Sequence, residues 1–410
     1  MWYIIEAALE YFIAILLSGA YLARITSALG FSDSLTGILS SFVSLGCVFQ
    51  FSAIALFRGG GSVKRPIMAV NTLNQLLFAL VYLTPVFPLS SAGKTAVFLA
   101  AFCGGYVLYN MILSQKTDWL MSLVEDKKRG SFTAAKEIVS LLSGMAFTFL
   151  MGACIDHLEA AGRERSAFIL GAAVVLALTI GHTLTLWAVE EKPRQAQGRA
   201  SGGMLGFLKE KMLFRVVLVG VLWHMAAGCA TPFYGAYQIK ELGFSMTFIS
   251  LLSIAYSVVR ALVSPMLGRY ADKRSFSRMV YLCFMVAAAG FLVNCFTVPS
   301  NGRVLYAIHY CLYAVAMGGI NSSLTNLIYD YIRGENRKNA LAVNAALGGA
   351  AGFLATCAMS PLVALIQKNG NRLWGMSIYP AQFVSAVALV VTVILIVYVR
   401  RCVLQVKKEG

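Results

Sequence analysis

Charge is what this 410-residue chain has least of. Asp, Glu, Lys and Arg make up 13% of it, about half the usual share of a soluble domain. The chemistry-bearing spacings are missing too. No G-x-x-x-x-G-K-[ST] occurs, which leaves ATP-driven work by this chain unsupported. Neither H-E-x-x-H nor a nucleophile elbow is present, so hydrolytic catalysis has no motif to rest on. There are nine cysteines but no C-x-x-C, and eight of the nine lie in or at the ends of apolar runs. Neither a zinc site nor a disulfide framework follows, and no cofactor is expected. What the chain has in excess is apolar surface: 59% hydrophobic residues and a mean hydropathy of +0.73. A soluble two- or three-domain protein is excluded, and a polytopic membrane protein is implied.

A spanning helix takes about 20 apolar residues. Twelve such runs can be read, over 4–24, 35–57, 66–86, 94–114, 132–155, 166–189, 214–236, 245–267, 278–298, 304–326, 339–366 and 376–399. The first run carries Glu6 and Glu10 and has no basic leader before it, so it reads as a retained span. The longest polar stretch, Glu190 to Arg215, divides the spans six and six and holds a candidate surface helix at 204–211. The expected organisation is therefore a six-span unit over 1–190, a central loop over 191–213, a second six-span unit over 214–400 and a tail over 401–410.

The net charge of +16 would suggest nucleic acid in a soluble protein, but no basic stripe with interleaved aromatics exists here. Instead, 25 of the 34 Lys and Arg residues fall in alternate loops that share one side with both termini. That is the positive-inside pattern, and it predicts cytoplasmic termini in a plasma (inner) membrane. The halves also echo each other. Gly30-Phe31-Ser32 and Gly243-Phe244-Ser245 open spans 2 and 8 at an offset of 213, and at that offset Ser40 matches Ser253 and Arg65 matches Arg278.

The loop after span 8, Gly268-Arg269-Tyr270-Ala271-Asp272-Lys273-Arg274, with Arg278 beyond it, is similar to the loop motif of the major facilitator superfamily. Ser275 stands where that motif has its second glycine, and the matching loop over 58–65 lacks the Asp. The stretch from Asp118 to Gly130 resembles the loop before span 5 in many bacterial members. The resemblance implies an all-α membrane protein, with twelve transmembrane helices in two pseudo-symmetric six-helix bundles. It also implies secondary transport of a small organic solute by alternating access, with membrane lipid as surroundings and a monomer as the working form. Proton coupling is expected because carboxylates and histidines are available, and a polar nutrient is favoured. Span 5 lacks the Gly-Pro run of the family's drug antiporters, and span 4 lacks an arginine; both count against drug–proton efflux, the main alternative. A polytopic enzyme or sensor is the rival from another class, but an enzyme's paired acids and a sensor's soluble domain are not evident.

Ionisable residues inside spans are costly and hence functional candidates. Glu10, Lys136, Glu137, His182, His224, Arg260 and His309 form that set. Glu6 and Glu10 share one face of span 1. The resemblance brings spans 5 and 8 together, which predicts a Glu137–Arg260 pair that opens and closes with the inner side. It also places spans 1, 4, 7 and 10 around a central cavity, offering Tyr106, Tyr109, Asn110, Trp223, His224, Tyr234, His309, Tyr313 and Asn321 to the substrate. Four tryptophans lie near predicted interfaces, whereas Trp223 lies mid-span beside His224 and is the main binding cue. For each of these residues, ordinary helix packing is the competing reading.

Overall fold

The computed structural model describes residues 2–46, 49, 62–124, 129–191, 211–331, 336–373 and 375–404. Thirteen helices and one short hairpin are seen among them: α1 (Trp2–Leu16), α2 (Gly19–Ala28), α3 (Asp33–Leu45), α4 (Lys64–Leu83), α5 (Ser91–Met121), α6 (Arg129–Ala160), α7 (Glu164–Ala188), α8 (Lys211–Ala236), α9 (Met246–Lys273), α10 (Phe276–Asn294), α11 (Gly302–Tyr331), α12 (Asn336–Lys368), β1 (Arg372–Leu373), β2 (Met376–Ser377) and α13 (Pro380–Cys402). Ten helices are long and apolar enough to cross a membrane, and the bent pair α1 and α2 makes an eleventh candidate. Of the expected second span, 35–57, α3 covers the beginning, and residues 47, 48 and 50–57 lie outside the described residues, as do 204–210 of the expected surface helix. The chain is an all-α multi-pass membrane protein.

Local sequence explains the breaks. The 43° bend between α1 and α2 falls at Ser18 and Gly19, where Gly19 takes φ +52°, a conformation that costs glycine little. The repeated Gly-Phe-Ser has a backbone counterpart: Gly30 and Gly243 both adopt positive φ, +76° and +61°, just ahead of α3 and α9. Pro232 sits inside α8, and the helix ends in a π-turn at Tyr237–Glu241. Ser275 is the N-cap of α10, its hydroxyl accepting from Arg278 N–H at 3.2 Å. The departure from the family's glycine is thus a helix start.

Three expectations need correction. The helix of the fourth expected span, α5, does not stop near residue 114 but runs to Met121, so Lys116 is a helical residue and not a loop charge. The apolar run ended there, but the helix continues because both Lys116 and Trp119 are buried. Arg24 is not the end of the first span, expected over 4–24, but lies buried inside α2, which runs to Ala28; it pairs with Glu159 at 2.5 Å and sits 4.3 Å above the Phe168 ring. The last expected span, 376–399, begins as a helix only at Pro380; its first residues, Met376–Ser377, pair as β2 with β1 instead.

The chain divides into two compact units. The first comprises Met1–Ser32, Gly46–Arg199 and Phe244–Ser250; within it α1 packs on α6 and α7, and α4 on α5 and α7. The start of α9 belongs here, because Asp156 of α6 accepts from Met246 N–H and Thr247 N–H at 2.9 and 2.7 Å and so caps it. The second comprises Asp33–Leu45, Ala200–Gly243 and Leu251–Gly410, with α8 packed on α12 and α13, and α10 on α11 and α13. Helix α3 belongs to it and packs on α12 and α8.

Candidate functional site

In the first unit, three helices bring ionisable side chains to one place. Glu6 and Glu10 are one turn apart on α1, Lys116 is near the end of α5, and His182 is in the middle of α7. Lys116 Nζ lies 3.0 Å from Glu6 Oε1 and is also bonded to Glu10 Oε2. On its other side Glu6 Oε1 is 2.9 Å from His182 Nε2. The side chains of Lys116, Glu6 and His182 are 3%, 1% and 0% exposed, whereas Glu10 keeps 20%. The cluster is therefore closed at His182 and open at Glu10.

Helix α4 completes it. Asn71 Nδ2 and Gln75 Nε2, again one turn apart, both face His182 Nδ1, the former at 3.1 Å. With two amide donors there, Nδ1 is the acceptor and Nε2–H donates to Glu6. In this assignment of the amides two carboxylates face one ammonium and one imidazole in a largely buried setting. An uncompensated charge is expensive in such surroundings. The amide oxygens of Asn71 and Gln75 have no hydrogen-bond partner, and with the amides turned over they would accept from an Nδ1–H instead. At the rim, the Tyr109 ring lies 5.9 Å from Lys116 Nζ, and Lys136 Nζ lies 5.0 Å from the Tyr3 ring.

The other expected first-unit residues support the walls. Tyr106 packs on Phe78 and Phe102, with ring centroids 5.0 and 4.9 Å away. Asn110 is buried and donates to Tyr106 O at 2.9 Å. The side chain of Glu137 lies outside the described residues, so the expected pair with Arg260 is not described; Arg260 itself is half-buried in α9.

In the second unit, four of the expected residues form one aromatic group. Trp223 stacks on Phe284 at 5.4 Å and on Tyr313 at 6.3 Å. His309 stacks on Tyr313 at 6.0 Å and meets Tyr234 edge-on at 5.2 Å. Polar tips are tied down: His309 Nδ1–H donates to Gly290 O at 2.8 Å, and the Tyr234 hydroxyl is 2.8 Å from Ser385 Oγ. Trp223, Tyr234 and His309 are buried, and Tyr313 is half-buried. His224 turns away from this group, bonded through Nδ1 to Gly220 O at 2.8 Å and packed beside Gly348 and Gly352. Asn321 is exposed, and of the loop motif Gly268 has open space around it while Asp272, Lys273 and Arg278 are exposed.

Sequence reasoning missed Lys116, Asn71 and Gln75 as partners, and missed a second polar cluster in the second unit. There Asp33, at the start of α3, is 2.5 Å from Lys240 Nζ through one oxygen and 2.5 Å from Gln367 Nε2 through the other. Spacing did hold a clue to the first miss. Lys116 lies seven residues after Tyr109, two helical turns on the same face.

A long-helix membrane protein with a buried carboxylate–ammonium–imidazole chain on one unit and an aromatic group on the other has the build of a secondary transporter. The family model of the Major Facilitator Superfamily matches residues 4–356 and, again, 216–401. The chain belongs to that superfamily, and it is a transporter and not an enzyme. Among solved structures, it is similar to a mutant form of the nucleoside transporter NupG, with a TM-score of 0.73, 14% identity, and coverage of 97% of this chain and 98% of that one. A D-xylose-proton symporter is equally similar, with a TM-score of 0.73, 12% identity, and coverage of 97% and 95%. A bacterial homolog of the human lysosomal transporter Spinster gives a TM-score of 0.69 at 13% identity, over 97% and 95%. These likenesses establish the fold. Among curated proteins, none matches the sequence.

Proposed function

We propose that the chain moves a small, polar, uncharged organic solute together with protons, by alternating access, as a monomer in the plasma membrane with both termini cytoplasmic. The observation that carries the coupling is the Glu6–Glu10–Lys116–His182 cluster, in which two carboxylates share one ammonium and one imidazole. Its open end at Glu10, beside Tyr109, is where the proton enters and leaves. Polar ring solutes fit the aromatic residue set, since flat rings stack on ring faces while hydroxyls and the Asn110 amide bond their substituents. Tyr109, Asn110, Trp223, Tyr234, His309 and Tyr313 are the proposed substrate-side residues. Tyr106, His224 and Asn321 are retained as secondary contacts. Lys136, Glu137 and Arg260 are the proposed gating charges, with Gly268, Asp272, Lys273 and Arg278 as the loop element. Pentoses and nucleosides, the cargo named for two of the similar structures, head the panel to be tested.

The test is purified protein in liposomes containing a pH-sensitive dye, challenged with pentoses, hexoses, nucleosides and neutral amino acids. The expected result is acidification of the lumen by one class of solute, lost in Glu10→Gln while binding of that solute persists. Solute flux without any proton movement in the wild type would overturn the coupling.

A further inference from the structure

Lys116 has a second consequence for the cluster. One oxygen each of Glu6 and Glu10 and a ring nitrogen of His182 all lie within 4.8 Å of one another. Two carboxylate oxygens and an imidazole nitrogen are a donor set that suits a divalent metal ion. The position among them is not open, because the ammonium of Lys116 is bonded to both carboxylates. Polar capacity is also left over. The amides of Asn71 and Gln75, 1% and 3% exposed, face His182 while their oxygens are unpartnered. The surroundings thus offer more acceptors than one lysine uses.

We propose that Lys116 is a tethered cation: its ammonium fills a cation-binding position made by Glu6, Glu10 and His182 and reserves the cluster for protons against metal ions. The reasoning is one of charge and geometry. A metal ion entering the wild-type cluster would meet a fixed positive charge at contact distance, in a setting where that repulsion is poorly screened. Covalent attachment keeps the ammonium at an effective concentration that a dissolved cation cannot match. Without the lysine, buried Glu6 and half-buried Glu10 have no counter-charge, and the same three donors take up whatever cation fits. Among the described residues, the charged and titratable groups facing the position are Tyr3, Glu6 and Glu10 on α1, Tyr106, Tyr109 and Lys116 on α5, Lys136 on α6 and His182 on α7. As a statement about coupling-ion choice, this rests on the proton-coupled reading above.

The experiment is Co²⁺ binding to full-length, tag-free protein, read from the visible absorption of the bound ion and by titration calorimetry. Lys116→Ala is expected to bind one Co²⁺ per chain about 100-fold more tightly than the wild type, the order of effect expected for removing a like charge from a buried site. Adding Glu6→Gln or His182→Ala to Lys116→Ala should abolish the gain. Methylammonium, which restores the missing group, should compete with Co²⁺. Folded Lys116→Ala that binds Co²⁺ no better than the wild type overturns the proposal. If Lys116→Ala is unstable, purification in methylammonium or Co²⁺ should restore a monodisperse protein, and failure of both overturns the proposal too. The liposome assay separates this result from the coupling itself. Co²⁺ binding by Lys116→Ala with no proton movement in the wild type removes the coupling and leaves the tethered cation; proton movement without the gain in Co²⁺ binding does the reverse.

Discussion

Lys116 and Glu6 meet at 3.0 Å with almost no exposure, and Glu6 uses the same oxygen to hold His182 at 2.9 Å. The attraction in such a pair is largely offset by the loss of hydration, so its net contribution is small while both partners are present. Removing one of them is a different matter, costing about 3–5 kcal/mol because the survivor stays buried and uncompensated. The cluster makes the two removals unequal. Lys116→Met leaves two carboxylates unpaired, whereas Glu6→Gln leaves Glu10 to balance Lys116. Lys116→Met is therefore expected to cost about 3–5 kcal/mol and Glu6→Gln clearly less, compared by thermal unfolding in one detergent. Equal losses would contradict the charge count.

A second prediction concerns the start of α4. Glu191 accepts from Ser62 Oγ at 2.6 Å, from Val63 N–H at 2.6 Å and from Lys64 N–H at 3.2 Å. A carboxylate at a helix N-terminus answers both the free N–H groups and the helix dipole. Partial burial pushes its pKa up, but the hydrogen bonds from Ser62, Val63 and Lys64 outweigh that, and the carboxyl titrates below its usual range. The folded pKa lies below the unfolded one, so the stabilisation is fully present above the ordinary glutamate value of about 4.3 and fades as pH falls through the folded value. Glu191→Gln should lower the thermal midpoint at neutral pH and flatten its acid dependence. Parallel pH profiles for the two proteins would contradict this.

The first helix of the expected second span supplies the third. Both carboxylate oxygens of Asp33 are used, one by Lys240 and one by Gln367, and Gly37 one turn later packs against the Phe233 ring. Charge-assisted hydrogen bonds contribute about 1.5–3 kcal/mol. Asp33→Ala should therefore raise amide hydrogen exchange within residues 33–45 by about 10- to 100-fold, and Asp33→Asn by less, since the amide can keep one of the two bonds. Unchanged protection would show that apolar packing alone holds α3.

These contacts mark what the amino-acid sequence does and does not reveal. The spans were legible because a bilayer demands about 20 apolar residues per crossing, and the Gly30 and Gly243 turns because positive φ selects glycine. Lys116 was not, since a charge next to an apolar run reads as the beginning of a loop. Only the burial of Trp119 and Lys116 extends the helix past it. The convergence of Glu6, Lys116, His182, Asn71 and Gln75 depends on four helices meeting, and no pattern within any one of them encodes that. Trp223 shows the opposite difficulty. Its mid-span position was visible, but whether a ring meets substrate or stacks on Phe284 and Tyr313 depends on neighbours distant in the chain.

Two glycines allow stability to be separated from transport. A Cβ on Gly228 of α8 would fall on the Gly352 carbonyl of α12, where Thr356 Oγ1 also donates to Gly228 O at 2.7 Å. The obstacle is backbone, which cannot rotate aside, so Gly228→Ala should cost about 1–3 kcal/mol. A Cβ on Gly268 of α9 meets nothing. There alanine should leave the thermal midpoint unchanged or raise it by the equivalent of about 0.5–1 kcal/mol, because glycine is the poorer helix former. If the glycine of the loop motif serves close approach of neighbouring backbone during transport, Gly268→Ala will nevertheless slow solute flux in liposomes. A variant that is at least as stable as the wild type and yet slower assigns Gly268 to the moving part of the cycle. One that is equally stable and equally fast leaves it an ordinary helical position.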